Sequence, residues 1–322
     1  NSYNVAIGYD AGNDVTTGTL NTIIGGLAGD ALTSGNNNTV IGYEALSTDT
    51  LGDRNVAVGA QALFTQNFTT STDAYNTAVG YAAGTAVTTA TGSTLIGALA
   101  GDAITSGAGN TALGYLSLTT ATTGALNTAV GQQAMGGATA VTGSENTTMG
   151  YASGFGLTSG SNNLFLGTDS GRAGSPGGNI TTGSNTITLG DSNIATANIK
   201  VDWTVSSDQR DKTDFTALDI GLDFVKALKP VTYKWDQRSS YGDKEADGWV
   251  LSNQTPDGTH KQDWLDVGFK AQEVEALEIA AGYKIVDKTN LVTSLTSDGE
   301  QYGMKYSKFI PILVKAMQEQ NA

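Results

Sequence analysis

An internal repeat occupies most of the first 190 or so residues and constrains the fold more than any other feature of the chain. Its core reads Asn-Thr-x-apolar-Gly, as in residues 76–80 and 127–131, and seven of the ten separations between successive closing glycines are 17 residues. The closing glycines are Gly8, Gly25, Gly42, Gly59, Gly80, Gly97, Gly114, Gly131, Gly150, Gly167 and Gly190. A unit this short cannot bury its own apolar face, so the units must stack on one another or on other chains.

Each unit contains a short alternating segment that predicts one β-strand. A large apolar residue precedes the glycine and mostly Thr or Val stands two positions earlier, which places both on one face of the strand. The residue between them is often alanine, as at Ala57, Ala78 and Ala129, and we expect this small face to pack closely against other copies of the chain. The pattern predicts a β-solenoid or β-roll. Eleven rungs at about 4.8 Å would make a rod on the order of 50 Å long.

An asparagine opens most units and predicts a ladder of hydrogen bonds along the stack, provided that the units lie in register. The members of this set are Asn4, Asn21, Asn38, Asn55, Asn76, Asn110, Asn127, Asn146 and Asn163. The closing glycines suit turns that require a positive φ.

The composition changes sharply near residue 200, and this change predicts two domains. Up to Lys200 the other basic residues are Arg54 and Arg172, and all four tryptophans lie after residue 200. We place a repetitive β domain at residues 1–193, an extended connector at 194–206 and a small α+β domain that ends in a helix at 207–322.

Composition also excludes several classes of function. The formal charge of −14 argues against a nucleic-acid partner, because phosphate binding needs clustered Lys and Arg. Without cysteine, neither disulfides nor thiolate metal sites are available. His260 is the only histidine, so we predict no zinc site, no His-based triad and no cofactor. The sequence has no run of about 18 apolar residues, so we predict no membrane insertion.

The acidic residues of the repeats raise the question of an active site. Eleven acids are scattered singly at turn-like places, such as Asp10, Asp30, Asp49 and Asp102. Glycoside cleavage usually needs two carboxylates that face one sugar bond. We therefore interpret the repeats as a stiff acidic shaft, while an enzyme that degrades polysaccharide through acids paired across chains stays open as an alternative.

Residues 207–212 read Ser-Asp-Gln-Arg-Asp-Lys, and this stretch is the candidate for chemistry. A serine hydroxyl is a poor nucleophile until a base takes its proton, and a lysine can do so when burial keeps it neutral. The alternative is that Ser207 and Asp208 merely cap a helix.

The Ser-Asp-x-Arg-x-Lys pattern resembles the self-cleavage motif of the intramolecular chaperone auto-processing (endosialidase-type) domains that end many phage tail fibres and tailspikes. Residues 222–235, 268–275 and 302–320 resemble further segments of the same family, in the same order. Residues 268–275, which read Gly-Phe-Lys-Ala-Gln-Glu-Val-Glu, are similar to its Gly-Phe-x-Ala-Gln-Glu-Val signature.

That resemblance implies roles for the motif residues. Ser207 would be the nucleophile, Lys212 its base, and the bond between Ser206 and Ser207 the one that is cleaved. Asp208 and Arg210 would be orienting or structural residues. The family often has an apolar residue where this chain has an aspartate at position 211, and a carboxylate beside the lysine favours its protonated form.

The resemblance also bears on assembly. On the last helix one face carries Tyr306, Phe309, Ile310, Leu313 and Met317, a stripe that is more often core than partner surface. In the family, however, the terminal helices associate as a trimer. The repeats in turn resemble the head repeats of trimeric autotransporter adhesins, which form a left-handed parallel β-roll trimer.

From these features we expect a mainly β, trimeric fibre with a C-terminal chaperone. The expected function is host-surface attachment by a phage tail fibre, with single-turnover serine autoproteolysis and no external substrate. The expected partners are two further copies of the chain, other tail proteins and a bacterial surface receptor, either a glycan or an outer-membrane protein. The expected location is the virion, outside the cell after assembly in the host cytoplasm. A tailspike depolymerase and a bacterial surface adhesin are the alternatives.

Overall fold

The computed structural model of the chain describes residues 2–137, 140–244, 246 and 248–321. The chain divides into two compact units, with the division between Asp191 and Ser192. The finer division into a connector at 194–206 and a domain from residue 207 stays a prediction. No helix in the described part of the chain is both long and apolar enough to cross a membrane.

The first unit is built from short strands, and each repeat contributes one strand to the main sheet. The strands are β1 (Val5–Ile7), β2 (Thr22–Ile24), β3 (Thr39–Ile41), β4 (Gly52–Asp53), β5 (Val56–Val58), β6 (Thr72–Asp73), β7 (Thr77–Val79), β8 (Thr94–Ile96), β9 (Thr111–Leu113), β10 (Thr128–Val130), β11 (Thr147–Met149), β12 (Leu164–Leu166) and β13 (Ile187–Leu189). Eleven of them form a single parallel sheet in chain order, and β4 pairs with β6 in a separate small sheet.

Successive strands pair in register, so each repeat is one rung of a β-solenoid. Thr77, Ala78 and Val79 of β7 lie opposite Thr94, Leu95 and Ile96 of β8, and the neighbouring pairs repeat this alignment. The predicted mainly β solenoid with 17-residue units is therefore confirmed.

The alanine face points into the solenoid, and the expectation that it packs against other copies was wrong. Ala57, Ala78 and Ala129 are fully buried within one chain. They belong to one core cluster with larger side chains from the turns of the rungs, including Leu63 and Leu118. A small residue in the strand leaves room for a large one from another wall of the same rung, so the interior fills without a second chain.

The asparagines form a ladder, but largely through the backbone rather than from amide to amide. The Asn110 side-chain oxygen accepts a hydrogen bond from the Asn127 backbone N–H at 2.9 Å, while the Asn110 amide donates to the Gly124 carbonyl at 2.8 Å. Direct amide contacts between rungs occur as well, as between Asn146 and Asn127 at 3.0 Å. Each buried asparagine thus satisfies backbone groups of a turn that would otherwise have no partner.

The second unit is a small α+β fold. Its elements are α1 (Leu222–Ala227), β14 (Val231–Tyr233), β15 (Asp266–Gly268), α2 (Ala271–Ala280), β16 (Thr293–Leu295), β17 (Tyr302–Met304) and α3 (Phe309–Gln320). Strands β14 and β15 pair antiparallel, as do β16 and β17. The core consists of Ile220, Phe224, Val274, Val292, Phe309 and Ile312.

The predicted stripe on the last helix is mostly surface in this chain. The buried residues of α3 are Phe309, Ile312 and Ala316, which follow one another at helical spacing. Ile310 and Met317 are 62% and 63% exposed, so the interpretation of the stripe as core was wrong apart from Phe309. The sequence pattern was ambiguous because α3 is apolar on more than one face.

Candidate functional site

The motif residues surround a single helical turn. Gln209–Asp211 form one turn of 3₁₀-helix, and Asp208 stands at its N-cap in an extended conformation. The Asp208 carboxylate accepts a hydrogen bond from the Arg210 backbone N–H at 2.9 Å. Since an N-cap side chain satisfies a helical N–H that has no partner within the turn, Asp208 stabilises the turn locally.

That turn brings Lys212 back to Ser207. The Lys212 ammonium nitrogen Nζ donates to the Ser207 hydroxyl oxygen Oγ at 2.5 Å and to the Ser207 carbonyl oxygen at 3.2 Å. The helix-cap alternative applies to Asp208 and not to Ser207, whose hydroxyl contacts the lysine instead. The structure therefore brings together the two residues for which the sequence predicts nucleophile and base.

Arg210 turns back onto Asp208. Its Nε and one terminal nitrogen, Nη2, contact the Asp208 carboxylate, the latter at 2.7 Å. The Arg210 guanidinium is the main cause that lowers the pKa of Asp208, with the Arg210 backbone N–H second. The same pair raises the pKa of Arg210. The two residues form a local clamp on the turn, in keeping with the orienting role that the resemblance implies.

The whole motif is exposed in the single chain. Ser206, Ser207 and Lys212 all lie on the surface. Residues 194–206, all of which the structure describes, form neither a helix nor a strand, and the side chains of Trp203 and Val205 are 74% and 79% exposed. Ser207 and Lys212 are in contact, but both are exposed to water.

Two acids of the solenoid, Asp49 and Asp102, are held in structural hydrogen bonds. Asp49 is buried and accepts hydrogen bonds from the Gln66 side chain at 2.7 Å and from the Gly52 backbone at 3.0 Å. Asp102 accepts a hydrogen bond from Thr119 of the next rung, at 2.5 Å. Burial raises the pKa of Asp30, Asp49 and Asp102. These contacts agree with the interpretation of the acids as turn residues.

The histidine makes an aromatic contact. His260 packs edge-to-face against Tyr241, with 4.7 Å between ring centroids. In the described part of the chain, no group of three or more His, Cys, Asp or Glu side chains is arranged to hold a metal ion.

Sequence analysis missed one buried carboxylate of the second unit. Glu278 of α2 is fully buried and accepts hydrogen bonds from the backbone N–H groups of Leu291, Val292 and Thr293, at 2.6, 2.7 and 3.1 Å. It also accepts one from the Thr293 hydroxyl. The sequence feature that could have indicated its burial is its position four residues after Val274, on the buried face of α2. Glu278 organises the loop before β16 and has no contact with the motif turn.

Comparison with known proteins gives a match within the second unit. The family model described as Peptidase_S74, chaperone of endosialidase, matches residues 207–283. The match begins at Ser207 of the motif and includes residues 268–275, but not 302–320. No curated protein and no solved structure matches the chain.

Proposed function

From a C-terminal unit that carries a chaperone of endosialidase domain, we propose that this chain is part of a homotrimeric phage tail fibre that matures by self-cleavage. The chaperone brings three chains together, and cleavage between Ser206 and Ser207 then releases it. A β-solenoid followed by such a domain fits a tail-fibre-like protein.

The observation that carries the cleavage step is the 2.5 Å contact between Lys212 Nζ and Ser207 Oγ. In the proposed step, neutral Lys212 takes the hydroxyl proton while Oγ attacks the carbonyl carbon of Ser206. The C–N bond breaks, the nitrogen of Ser207 takes up a proton, and an ester now joins the two residues. Water then hydrolyses this ester, which leaves a carboxylate on Ser206 and a chain that begins at Ser207.

Association of chains supplies what the single chain lacks. A lysine acts as a base in its neutral form, and removal from water favours that form. Because Ser207 and Lys212 are exposed in one chain, with Trp203 and Val205 exposed nearby in sequence, contact with other copies would desolvate them. Cleavage would thereby follow assembly, so that the chaperone domain is released only after the fibre has formed.

The order of events has a physical reason in folding. The solenoid depends on parallel pairing between residues 17 or more apart, and pairing of that kind is slow and prone to misregister. A globular domain that associates first raises the local concentration of the solenoid segments. Removal of that domain afterwards traps the fibre kinetically.

The proposal extends to the role of the mature fibre. The solenoid would present its surface to a bacterial receptor, a glycan or an outer-membrane protein, and would join other tail proteins in the virion. The acidic composition supports a surface partner other than nucleic acid.

Intact-mass measurement on freshly expressed protein tests the cleavage. We expect a fragment that begins at Ser207 from the wild type and from Ser206→Ala, and none from Ser207→Ala or Lys212→Met. Ser206→Ala is the matched control, because it removes the neighbouring hydroxyl and keeps the proposed nucleophile. Sedimentation of the same samples gives the oligomeric state.

The outcomes separate the two parts of the proposal. A trimer that stays full-length in wild type and variants would rule out self-cleavage and leave the chaperone role in place. A full-length monomer would contradict both parts.

A further inference from the structure

The outer face of the eleven-stranded sheet is apolar, and part of it is exposed to solvent. In each strand the middle residue points inward, so the first and third residues point outward. The third residues form a continuous apolar row, made up of Ile7, Ile24, Ile41, Val58, Val79, Ile96, Leu113, Val130, Met149, Leu166 and Leu189. The first residues form a parallel row of threonine and aliphatic residues.

Large side chains along the third-residue row are accessible to solvent. Five of the eleven are exposed, among them Leu113 at 45% and Met149 at 49%, and the other six are partly buried, although aliphatic residues are the types most often found inside proteins. An exposed apolar patch that continues over many residues is rare on a monomer and marks an interaction surface.

A row of tyrosines extends this face. In the first ten rungs the residue after the closing glycine is tyrosine in every other rung, and the intervening positions are Gly, Ala, Gln or Thr; the eleventh rung has Asp191. These tyrosines are Tyr9, Tyr43, Tyr81, Tyr115 and Tyr151, and their exposed fractions lie between 38% and 77%. Tyrosine offers a large apolar ring with a polar tip, which suits an interface that is partly wet.

The two strand rows are also free of charge on a strongly acidic domain. No first or third residue of the eleven strands is charged, whereas residues 1–193 carry eleven acids and only two arginines. Copies of such a domain repel one another wherever their acidic turns meet. The outer face of the sheet is where close approach brings no two like charges together.

The size of the face is adequate for a specific interface. Eleven rungs at about 4.8 Å and a strip about 15 Å wide give roughly 800 Å², close to the ~800 Å² that each partner buries in a standard interface.

We propose that this outer face, the two strand rows together with the tyrosine row, is the surface through which copies of the chain associate along the fibre. The inference rests on the proposed homotrimer and specifies which side of the solenoid faces the other chains. The axial period argues for a second copy as the occupant. Side chains repeat once per rung over the whole sheet, and a parallel copy of the same solenoid is a partner with that same repeat.

Single cysteines test the face, because the chain has none of its own. In the full chain, Ile96→Cys places a thiol in the apolar row at mid-solenoid, and Thr89→Cys places one at an exposed turn position ten residues after β7. A short bis-maleimide is then added, followed by denaturing electrophoresis, with sedimentation of the unreacted protein in parallel. Where Ile96→Cys fails to fold, Leu113→Cys repeats the test one rung further on.

We expect a trimer in sedimentation, with cross-linked chains from Ile96→Cys and none from Thr89→Cys. A trimer that cross-links only through Thr89→Cys, or through neither position, overturns the assignment of the face and leaves the homotrimer in place. A monomer in sedimentation overturns the homotrimer, and the face assignment with it.

Discussion

Gly25 and Gly42 lie in adjacent rungs so close together that a β-carbon on Gly25 would stand 2.5 Å from the Gly42 carbonyl oxygen. Gly25 also has a φ of +135°, a conformation that residues with a side chain rarely adopt. In nine of the eleven repeats the closing glycine is thus required both by its own positive φ and by the close spacing of the rungs.

Gly25→Ala is therefore expected to destabilise the solenoid by on the order of 3 kcal/mol, from backbone strain and overpacking together. The neighbouring Gly26→Ala is the matched control, since a β-carbon there meets only the Tyr43 ring at 3.7 Å. Far-UV circular dichroism during denaturation follows the β-rich solenoid. Equal losses in the two variants would contradict the requirement for glycine at the end of these repeats.

Ser93 occupies the place of an asparagine in the ladder, and it interrupts the ladder. Its backbone N–H donates to the Asn76 side-chain oxygen at 2.9 Å, but its own buried hydroxyl has no hydrogen-bond partner. Ser93→Asn should supply an oxygen for the next rung and stabilise the solenoid by about 1 kcal/mol. Ser93→Ala serves as the control, with little change expected. A destabilising Ser93→Asn would show that the rung has no room for the longer side chain.

Glu278 should matter far more to the second unit than the exposed Glu273 on the same helix. Glu278→Ala leaves three backbone N–H groups and a hydroxyl without their acceptor, at a cost of about 3–5 kcal/mol. Glu273→Ala breaks only an exposed ion pair with Lys270, worth under about 1 kcal/mol. All four tryptophans lie after residue 200, so tryptophan fluorescence during denaturation reports on this unit. Similar midpoints for the two variants would argue against the structural role of Glu278.

Asp208 is expected to act on cleavage through the turn that it caps. Asp208→Ala removes the cap, a loss of about 1 kcal/mol, and should slow the release of the Ser207 fragment roughly fivefold as the contact between Ser207 and Lys212 becomes less populated. Arg210→Ala keeps the backbone cap and removes only an exposed ion pair, so its rate should stay close to that of the wild type. Rates come from intact mass against time. The reverse order of the two rates would assign the orienting role to Arg210.

Sequence periodicity predicted the rungs and their register, because the third residue of each strand in the main sheet precedes a glycine, and these glycines follow one another at a nearly constant spacing. It did not predict which face is inside. Both faces of a strand such as Thr77–Val79 can be buried, and the side chains that decide, Leu63 and Leu118, belong to the turns. Nor does the sequence pattern reveal that Leu99 adopts a φ of +57°. The conformational free energy of this backbone geometry is offset by hydrogen bonds between rungs.

The candidate site was predicted from a local motif, and its geometry is local as well. Ser207 and Lys212 are five residues apart, and one turn of helix suffices to join them. Glu278 could not be predicted in this way, since its partners are 13 to 15 residues away, in the loop before β16 and at the first residue of that strand.

The two units should respond to acid in opposite directions. Burial raises the pKa of Asp49 and Asp102 in the solenoid, so the folded state holds these protons more tightly than the unfolded chain does. The solenoid therefore gains stability as the pH falls through the raised values, down to the unfolded value of about 3.9. In the second unit, Arg210 lowers the pKa of Asp208, and the Leu222 backbone N–H lowers that of Glu319. Those contributions are present above about pH 4 and are lost as the pH falls further.

Thermal unfolding at pH 7, 5 and 3.5 tests this contrast, with circular dichroism for the solenoid and tryptophan fluorescence for the second unit. We expect the solenoid midpoint to rise as the pH falls from 7 toward the unfolded value of about 3.9, and the midpoint of the second unit to fall at pH 3.5. Asp49→Asn should reduce the rise in the solenoid, because the buried carboxyl that takes up a proton is gone. The exposed Glu145→Gln, which removes one charge elsewhere on the solenoid, should leave most of the rise in place. If Glu145→Gln reduces the rise of the solenoid midpoint as much as Asp49→Asn does, the rise comes from the net charge of the solenoid rather than from burial of Asp49.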